Sequence, residues 1–576
     1  MDTARLSRPT AALVGLLSVV AALGAGHLVA GLVGSGASPY LAVGNTAIDL
    51  TPSAVKDFAI RAFGTYDKLV LLGGMAVVIG LFGAAAGLAS RRRSLPGAVW
   101  LGALGVIGVV AVYQRPDLGQ LAPLAPMAAL AAGVTVFGWL HGLAAAREPM
   151  VTTRQPVATA RRPATAHKPP AHEPAAAPHE TADTGLPNDG HGLTERRTRA
   201  YGTADTPGSG RPGGGGAGEW AAGRRQFLVA SAGTVVAAAV AGGAGQLLGS
   251  RVDVQASRRA VGQIRPVVAA APIPAGADFA AEGSPSFITS NAEFYRIDTA
   301  LVVPRVRAEG WSLRVHGMVD RELTVSYDDL RRRELVEQTV TLTCVSNEVG
   351  GPYVSTANFV GVPLRDILDE AGVLAGADQL ASRSVDGWTC GTPTEVVMEA
   401  DRGALLALAM NGEPLPAEHG FPVRMVVPGL YGYVSATKWL EDIELTRFDA
   451  FDPYWARRGW AKQAPIKTMS RIDRPGGFQR VPAGRVVAAG VAWAQHRGID
   501  AVEVRLDGGP WVETTLATEV NLDTWRMWRA ELDIVPGGHT LEARATDKTG
   551  YTQTAARAEP VPDGATGWHS IFFNAT

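Results

Sequence analysis

The sequence predicts a chain with an N-terminal α-helical membrane bundle, an α+β domain and an all-β C-terminal domain. Long uncharged apolar stretches are confined to the part of the chain before residue 250. Aromatic, charged and turn residues are mixed after residue 262, as in a globular domain. From residue 451 short strand-like segments alternate with glycine-containing turns. A chain of 576 residues is also too long for one ordinary domain.

Composition excludes two classes of protein. The chain has 53 Lys and Arg against 54 Asp and Glu, so it lacks the basic excess of a nucleic-acid-binding protein, and no nucleic-acid partner is expected. It has two cysteines, Cys344 and Cys390, which allow one disulfide at most and exclude a disulfide framework. Each is either a buried thiol that packs as a small apolar group or a ligand of a metal.

Four apolar stretches lie within residues 1–146, which we interpret as a four-helix transmembrane region. Crossing ~30 Å of hydrocarbon takes about 20 residues, or slightly fewer for a short span. A fifth stretch, within residues 224–250, is interpreted as a further transmembrane or signal-anchor segment. The stretches are approximately Ala11–Gly34, Leu69–Ala89, Ala98–Tyr113, Leu121–Ala146 and Phe227–Leu248.

Arginine clusters predict the orientation of these spans. Clusters precede the first and fifth spans, separate the second from the third and follow the fourth, so all would lie on one side if every stretch crosses. The positive-inside rule makes that side the cytoplasm. We therefore expect a multi-pass protein of the cytoplasmic membrane whose domains after Leu248 are extracytoplasmic. The clustered residues are Arg5, Arg8, Arg91, Arg92, Arg93, Arg147, Arg154, Arg161, Arg162, Arg224 and Arg225.

The segment Gly223–Leu228 resembles a twin-arginine export signal at an internal position, with Gly where the pattern has Ser or Thr. That export route carries folded proteins, so the domain after this segment would fold before it crosses. The alternative is that Arg224 and Arg225 are ordinary cytoplasmic flanks of a span. Residues 147–223 are rich in Pro, Ala and Gly and poor in large apolar residues, and we predict a disordered linker there.

Two intramembrane histidines, His27 and His141, raise the possibility of haem in the bundle. Their spacing matches no motif, and packing through small residues is the favoured explanation of this bundle. The soluble part has no Cys-x-x-Cys-His haem attachment sequence. Any redox activity would therefore need a separate electron-transfer partner, either a cytochrome or a quinone system, or a path through the membrane bundle.

Residues 262–450 read as the α+β domain. Trp311–Gly317 alternates apolar and polar residues and predicts a strand, as does Leu323–Val325. Tyr327–Leu330 begins a short helix with acidic residues in its first turn. The β-branched segment Val340–Thr343 predicts a further strand, which presents Cys344 at its end.

The segment Thr341–Glu348 resembles the cysteine segment of the sulfite oxidase family of molybdopterin-dependent oxidoreductases. The resemblance implies that Cys344 ligates molybdenum and that Asn347 lies beside the cofactor. A soft thiolate suits a metal that must keep an open position for chemistry. The expected cofactor is molybdenum bound by the simple molybdopterin.

Further motifs follow in the order of that family. Phe294-Tyr295-Arg296 resembles its Phe-x-Arg-Asn-His segment, which implies that Arg296 attracts and orients an anionic or polar small-molecule substrate; the Asn-His pair is replaced by Ile297-Asp298. The resemblance also implies that the pterin and its phosphate are held by His419, Arg424 and the segment Ala436-Thr437-Lys438, with Asp386 near the pterin. The matching stretches are Gly361–Leu368, Asp386–Trp388, Met410–Pro416, His419–Arg424, Pro428-Gly429 and Lys438–Leu440.

One departure leaves the substrate open. Sulfite oxidases carry a catalytic Tyr two residues before the Met-Asn-Gly motif, where this chain has Leu408. Oxygen-atom transfer to sulfite is therefore one candidate, and reduction of a sulfoxide-like substrate with electrons from the membrane is another. A third hypothesis is a cofactor-free binding or sensor module on a membrane bundle, although an intact Cys344 argues against it. Cys390 matches no ligand position and is interpreted as structural.

Residues 451–562 predict an immunoglobulin-like sandwich. Strands are expected at Val486–Trp493, Val502–Leu506, Trp528–Leu532 and His539–Ala545, with turns at Asp507–Gly509 and Pro536–Gly538. The segment also resembles the dimerisation domain that follows the catalytic domain in the sulfite oxidase family. A homodimer is the assembly that this resemblance implies.

Overall fold

The computed structural model describes residues 5–51, 55, 58, 63, 67–114, 120–146, 216–249 and 253–576. Among these residues, five helices are long and apolar enough to cross a membrane. The short helix α2 was not predicted, and α6 begins before the predicted boundary at Arg224. The predicted linker lies outside the described residues up to 215. The helices of this region are α1 (Arg8–Val33), α2 (Pro39–Leu50), α3 (Asp67–Ala89), α4 (Leu95–Tyr113), α5 (Leu124–Ala145) and α6 (Gly216–Gly249).

Small residues set the directions in which the long helices pack. A Cβ at Gly15 of α1 would collide with the backbone of Gly83, and one at Gly87 would collide with Ala11, so α1 and α3 are antiparallel. A Cβ at Gly31 of α1 would also collide with the backbone of Gly245 of α6. Gly24 likewise faces Ala238, so α1 and α6 run in the same direction. Such close backbone approach is the usual way in which apolar helices associate in a membrane.

The two histidines of the predicted spans, His27 of α1 and His141 of α5, lie level with opposite ends of α1. His141 contacts the carbonyl oxygen of Ser90 through Nε2 at 2.7 Å. The neighbouring Arg91 carbonyl accepts a bond from the backbone N–H of Leu6, just before α1 begins. His27 is roughly 28 Å farther along α1, at 1.5 Å per residue from Arg8. The structure therefore gives no support to a haem held by this pair.

The domain that follows is rich in sheet, as predicted. One sheet has the strand order β2-β1-β10-β5-β6 and a second has β3-β4-β7-β8, with β9 paired to β7. A helix before it, α7 (Val254–Val261), lies ahead of the predicted start at residue 262 and belongs to the domain, because the Arg258 side chain bonds to the carbonyl oxygens of Pro414 and Leu415.

The strands are β1 (Ser312–Gly317), β2 (Leu323–Ser326), β3 (Val336–Thr343), β4 (Val354–Pro363), β5 (Gln379–Ser384), β6 (Thr389–Pro393), β7 (Leu405–Met410), β8 (Glu413–Pro414), β9 (Arg424–Val426) and β10 (Leu440–Thr446). The helices are α8 (Tyr327–Arg331), α9 (Leu364–Ala371) and α10 (Thr394–Met398).

Local chemistry explains two of the predicted helix starts. Ser326 caps α8, and its side chain and that of Asp329 form a reciprocal capping box. Pro363 directly precedes α9, where its missing N–H costs no helical hydrogen bond.

The C-terminal region forms two sheets that enclose one core. The sheet orders are β11-β13-β17-β16 and β12-β19-β18-β14-β15. Trp528 of one sheet and Phe573 of the other are both fully buried in that core. The sandwich extends past the predicted end at residue 562, because β19 pairs with β18. Its strands are β11 (Met469–Arg474), β12 (Arg480–Val481), β13 (Gly484–Trp493), β14 (Ile499–Leu506), β15 (Val512–Glu513), β16 (Thr515–Leu516), β17 (Arg526–Ile534), β18 (Gly537–Asp547) and β19 (His569–Ala575).

Candidate active site

The segment that carries Cys344 is a tight loop at the end of β3. Cys344 is buried, and its backbone N–H donates to the carbonyl oxygen of Tyr353 at 3.0 Å. Asn347 closes the loop, because its Oδ1 accepts from the N–H of Tyr353 at 2.9 Å while its own N–H donates to the Cys344 carbonyl at 3.1 Å. Burial raises the pKa of the Cys344 thiol, so a metal rather than the protein environment would hold it as the thiolate.

The C-terminal domain contacts β3, the strand that ends directly before Cys344. β3 is the edge strand of its sheet, and the C-terminal domain pairs with the part of that edge nearest Cys344. The Gln495 side-chain amide donates to the Thr341 carbonyl at 3.0 Å and to Thr343 Oγ1 at 2.9 Å. The Thr341 N–H donates to the carbonyl of Asp523 at 2.9 Å. The position of Cys344 therefore depends on contacts from both domains.

Phe294 and Tyr295 interact both with the cysteine loop and with the segment His419–Arg424. The two rings stack with centroids 5.5 Å apart, and the His419 ring meets Phe294 edge-on at 5.5 Å. Burial and the neighbouring Cys344 raise the pKa of Tyr295, whereas Arg424 acts in the opposite direction. Tyr295 therefore lies within electrostatic range of both the cysteine and a buried cation.

The Met-Asn-Gly motif holds the Phe294–Arg296 segment in place. Asn411 adopts φ of 51°, a left-handed conformation that Asn tolerates well. Its amide donates to the Thr289 carbonyl at 2.9 Å and to Asn291 Oδ1 at 2.8 Å. The Asn291 carbonyl in turn lies 2.9 Å from Nε2 of His419. The motif is thus part of the scaffold that sets the distance between these two parts of the site.

Arg424 is a buried cation with an unused donor. Its Nη1 donates to the His419 carbonyl at 3.3 Å and its guanidinium carbon lies 5.6 Å from the centre of the Phe359 ring. Its Nε is buried without a hydrogen-bond partner in the described part of the chain. Burial lowers the pKa of Arg424 to about 10, which still leaves it charged at neutral pH. A buried guanidinium with a free N–H fits a bound anion such as a phosphate.

His419 is held neutral beside this cation. Burial, followed by the charge of Arg424, lowers the pKa of His419 to about 4. The geometry at Asn291 requires Nε2 to carry the proton, because the carbonyl oxygen can only accept. A neutral imidazole next to Arg424 adds hydrogen-bonding capacity without further positive charge.

Asp298 lies at the centre of an ion cluster that also contains Lys68, Arg296 and Lys438. Its Oδ2 accepts from Lys438 Nζ and from Arg296 Nε, each at 2.9 Å, and its Oδ1 accepts from Lys68 Nζ at 2.7 Å. Burial alone would raise the pKa of Asp298, but the three cations hold it well below its usual range. Burial lowers the pKa of Lys438 to about 8, against the opposing effect of Asp298. We call this set the Asp298 cluster.

Lys68 was not predicted as a site residue. It lies at the start of α3, one of the helices long enough to cross a membrane, and it also donates to the Ala300 carbonyl at 2.6 Å. The available signals were a lysine directly before an apolar stretch and an Asp where the family has Asn-His. Each signal is weak alone, and only the fold shows that the two residues meet.

Other predicted positions lie at the edge of this group or in the core. Asp386 accepts from the Trp388 N–H at 3.1 Å, and burial, with a further contribution from Asp298, raises its pKa. Thr437 is fully buried with its hydroxyl 2.6 Å from that of Ser382. The N–H of the adjacent Ala436 donates to the Gly432 carbonyl at 3.0 Å. The structure therefore shows Thr437 as a packed core residue whose hydroxyl already has a partner.

Leu408 and Cys390 belong to the core. Both are fully buried, Leu408 on β7 and Cys390 on β6. The thiol of Cys390 lies 3.7 Å from Thr392 Oγ1, and burial raises its pKa to about 11. These surroundings agree with a structural Cys390.

Comparison with known proteins identifies the domain. A family model described as oxidoreductase molybdopterin binding domain matches residues 300–455. An uncharacterized oxidoreductase of Bacillus subtilis, YuiH, is 35% identical over 150 residues, which cover 72% of that protein and 26% of this chain. Mitochondrial sulfite oxidase of Macaca fascicularis is 30% identical over 324 residues. The chain belongs to the sulfite oxidase family. That membership makes it an oxidoreductase whose cofactor is molybdenum bound by molybdopterin, as predicted.

The match to each relative is partial. The alignment with the Macaca fascicularis sulfite oxidase covers 48% of this chain and 59% of that protein. Among solved structures, the sulfane dehydrogenase SoxCD of Paracoccus pantotrophus matches with a TM-score of 0.45 and 22% identity, covering 52% of this chain and 85% of that chain.

The residues brought together here fit a molybdopterin cofactor. Cys344 offers a soft ligand at a fixed backbone position. Arg424 offers a buried cation with an unused N–H, and His419 a neutral ring beside it. Lys438 adds a second buried cation within electrostatic range of Arg424.

We expect Asp298→Asn to release the cofactor and destabilise the fold. The substitution keeps the shape of the side chain but removes the negative charge, so that Lys438 remains buried without its counter-charge. Breaking a buried ion pair in this way costs about 3–5 kcal/mol. Molybdenum per protein chain and the midpoint of thermal unfolding are the measurements. Asp449→Asn is the matched control, since that carboxylate is exposed and pairs only at the surface. Unchanged values in both variants would contradict the assigned importance of the cluster.

Stability should fall as the pH is lowered from about 6.5 to about 4. His419 and His569 both have a pKa lowered to about 4 from 6.5, mainly by burial. The unfolded chain therefore binds protons in this window that the folded protein does not, and protonation favours unfolding. His419→Gln and His569→Gln should each flatten the dependence of unfolding free energy on pH, whereas only His419→Gln should also reduce cofactor content. An unaltered slope in both variants would contradict the buried neutral state of these rings.

Proposed function

We propose that this protein is a membrane-anchored, extracytoplasmic molybdenum-cofactor oxidoreductase that transfers an oxygen atom to or from a small molecule. The observation that supports it most directly is the meeting of Cys344, Tyr295 and Arg424. Tyr295 lies within electrostatic range of both the Cys344 thiol and Arg424, and Arg424 Nε is buried without a hydrogen-bond partner among the described residues. Such an arrangement has no evident structural purpose, because an unpaired buried donor costs free energy unless a ligand satisfies it.

The proposed roles follow from the chemistry of each group. Cys344 is the protein ligand of molybdenum. Arg424, His419 and Lys438 hold the pterin and its phosphate. Further contacts with the cofactor are proposed for Phe294, Tyr295, Asn347, Asp386 and the Ala436-Thr437 backbone. When bound, the cofactor supplies the two-electron oxygen-atom chemistry. The protein orients the cofactor and the substrate, and it supplies a fixed set of hydrogen-bond donors to the pterin.

Arg296 is proposed to orient the substrate. Its bond to Asp298 uses Nε, so the two Nη groups are outside that bond. The side chain is 42% exposed, in contrast to the 12% of Lys438. A tethered but accessible guanidinium suits an oxyanion or another polar oxygen, which it binds through two parallel N–H groups.

The residue at position 408 bears on which direction of the reaction is proposed. A buried alkyl group stands where sulfite oxidases have a catalytic Tyr, so no phenol is available from this strand position to hydrogen-bond an oxyanion. This difference favours a second candidate, the reduction of a sulfoxide-type substrate. Turnover with a reduced artificial donor, as opposed to an artificial acceptor with sulfite, separates the two candidates.

Cys344→Ser should abolish turnover with either class of artificial electron partner. A hydroxyl is a poor replacement for a thiolate on a metal that prefers soft ligands. Cys390→Ser is the matched control, because that thiol is also buried but lies on β6 beside the hydroxyl of Thr392, away from the cysteine loop. Activity and molybdenum content of the full-length protein are measured together. Activity retained in Cys344→Ser, or lost equally in both variants, would refute the assignment of the ligand.

The membrane topology is proposed from helix directions and charge. The parallel packing of α1 and α6 supports equal orientation of the first and last spans. The antiparallel packing of α1 and α3 supports a return crossing between them. With the arginine clusters in the cytoplasm, both soluble domains lie outside the cell membrane. The two-sheet C-terminal domain is proposed to be immunoglobulin-like and to mediate homodimer formation.

Cysteine labelling tests this topology. Glu531→Cys, at an exposed position of β17, should react with a membrane-impermeant maleimide in intact spheroplasts. Arg92→Cys, in the exposed turn between α3 and α4, should react only after permeabilisation. The native thiols are both buried and give a low background. The opposite pattern would overturn the proposed orientation.

A further inference from the structure

A cavity of about 390 Å³ lies where the long apolar helices meet the catalytic domain. Its walls come from α1, α2, α3 and α6 together with the segment that contains Val302 and Arg305. It is therefore formed only when helices and domain are docked. Its size is within the range of small-molecule sites, roughly 300–1,000 Å³.

The position of the cavity along the helices places it near one membrane surface. His27 lies in the last third of α1 and Gln246 in the last turn of α6, while Tyr40 belongs to the first turn of α2. In the proposed topology these are the extracytoplasmic ends of the spans. A ligand with a lipid-soluble tail could therefore enter from the bilayer.

The lining is apolar with a few hydrogen-bonding groups. Leu23, Leu41 and Ala76 provide apolar wall. His27 Nε2 lies 3.3 Å from Gln246 Oε1, an arrangement in which the imidazole donates and the two N–H groups of the amide are left outside that bond. The Arg305 guanidinium adds further N–H donors at the domain side. Amide and guanidinium donors on an apolar wall suit a flat ring that bears carbonyl oxygens.

The cavity is also linked to the active site through a short stretch of chain. Val302 and Arg305 follow Asp298 in sequence, and Lys68 of α3 binds both Asp298 and the Ala300 carbonyl. The same ion cluster contains Lys438, so the cavity wall and the cofactor-holding residues belong to one connected set of contacts.

We propose that this cavity binds the ring of a membrane quinone, the redox partner of the enzyme. The proposal rests on the proposed function. With a substrate X and its oxide XO, the overall reaction is QH2 + XO → Q + X + H2O. The quinol loses two electrons and two protons, and XO accepts both and releases its oxygen as water; the reverse reaction balances equally.

The test measures binding of decylubiquinone and of 2-methyl-1,4-naphthoquinone to the full-length protein in lipid nanodiscs by calorimetry. Ala76→Phe fills the cavity, and Gln246→Leu removes the amide donors. We expect saturable binding at one site per chain, weakened by about tenfold or more in each variant, which corresponds to about 1.4 kcal/mol. Matched controls are Ala131→Phe, exposed on α5, and Gln226→Leu, exposed on α6, which should bind as the unmodified protein does.

Each outcome decides the proposal. Equal binding by all variants would show partition into lipid and would overturn it, as would the absence of binding to the unmodified protein. Molybdenum content and turnover with artificial electron partners are measured on the same samples. If these are normal while quinone binding fails, the quinone site is refuted and the proposed function stands. If molybdenum and turnover are absent, the proposed function fails, and with it the role of the quinone as redox partner, even where saturable binding that depends on Gln246 is measured.

Discussion

The buried carboxylate of Asp298 is the interaction on which the arrangement of the site depends. It is 4% exposed and binds three cations: Lys68 of the helical region, the nearby Arg296, and Lys438 of the segment proposed to hold the pterin. Without this carboxylate, the positive charges of Lys68, Arg296 and Lys438 would repel one another strongly, because the local dielectric constant is low. One acidic side chain thus allows the site to carry the positive charge that an anionic cofactor requires, and joins the catalytic domain to the helices.

A second constraint acts on the strand that carries Cys344. β3 would be an open sheet edge, and the C-terminal domain closes it through Gln495 and through the Asp523 carbonyl. Because Cys344 directly follows this strand, its position is set by a contact between domains and not by the catalytic sheet alone. The C-terminal domain therefore contributes to the geometry of the site as well as to any assembly role.

Sequence patterns predicted the elements with strong periodicity or a distinctive motif. The strands around Val340 and the cysteine loop, the capped helix at Tyr327 and the apolar helices all follow from local chemistry, and the family motifs led to Cys344 and Arg424. Contacts between distant segments could not be predicted this way. The pairing of Lys68 with Asp298 joins residues 230 positions apart, and neither residue has a local pattern that reveals the other. Strand β19 was missed for a similar reason, since its place in the sheet depends on pairing with β18.

The central claim is that Cys344 ligates the molybdenum of the cofactor, and X-ray absorption at the molybdenum edge of the purified full-length protein tests it most directly. The account predicts one sulfur fewer in the metal coordination shell of Cys344→Ser than in the unmodified protein, with no change in Cys390→Ser. Identical sulfur coordination in all three proteins would contradict it, because the cysteine at the end of β3 would then not be a ligand.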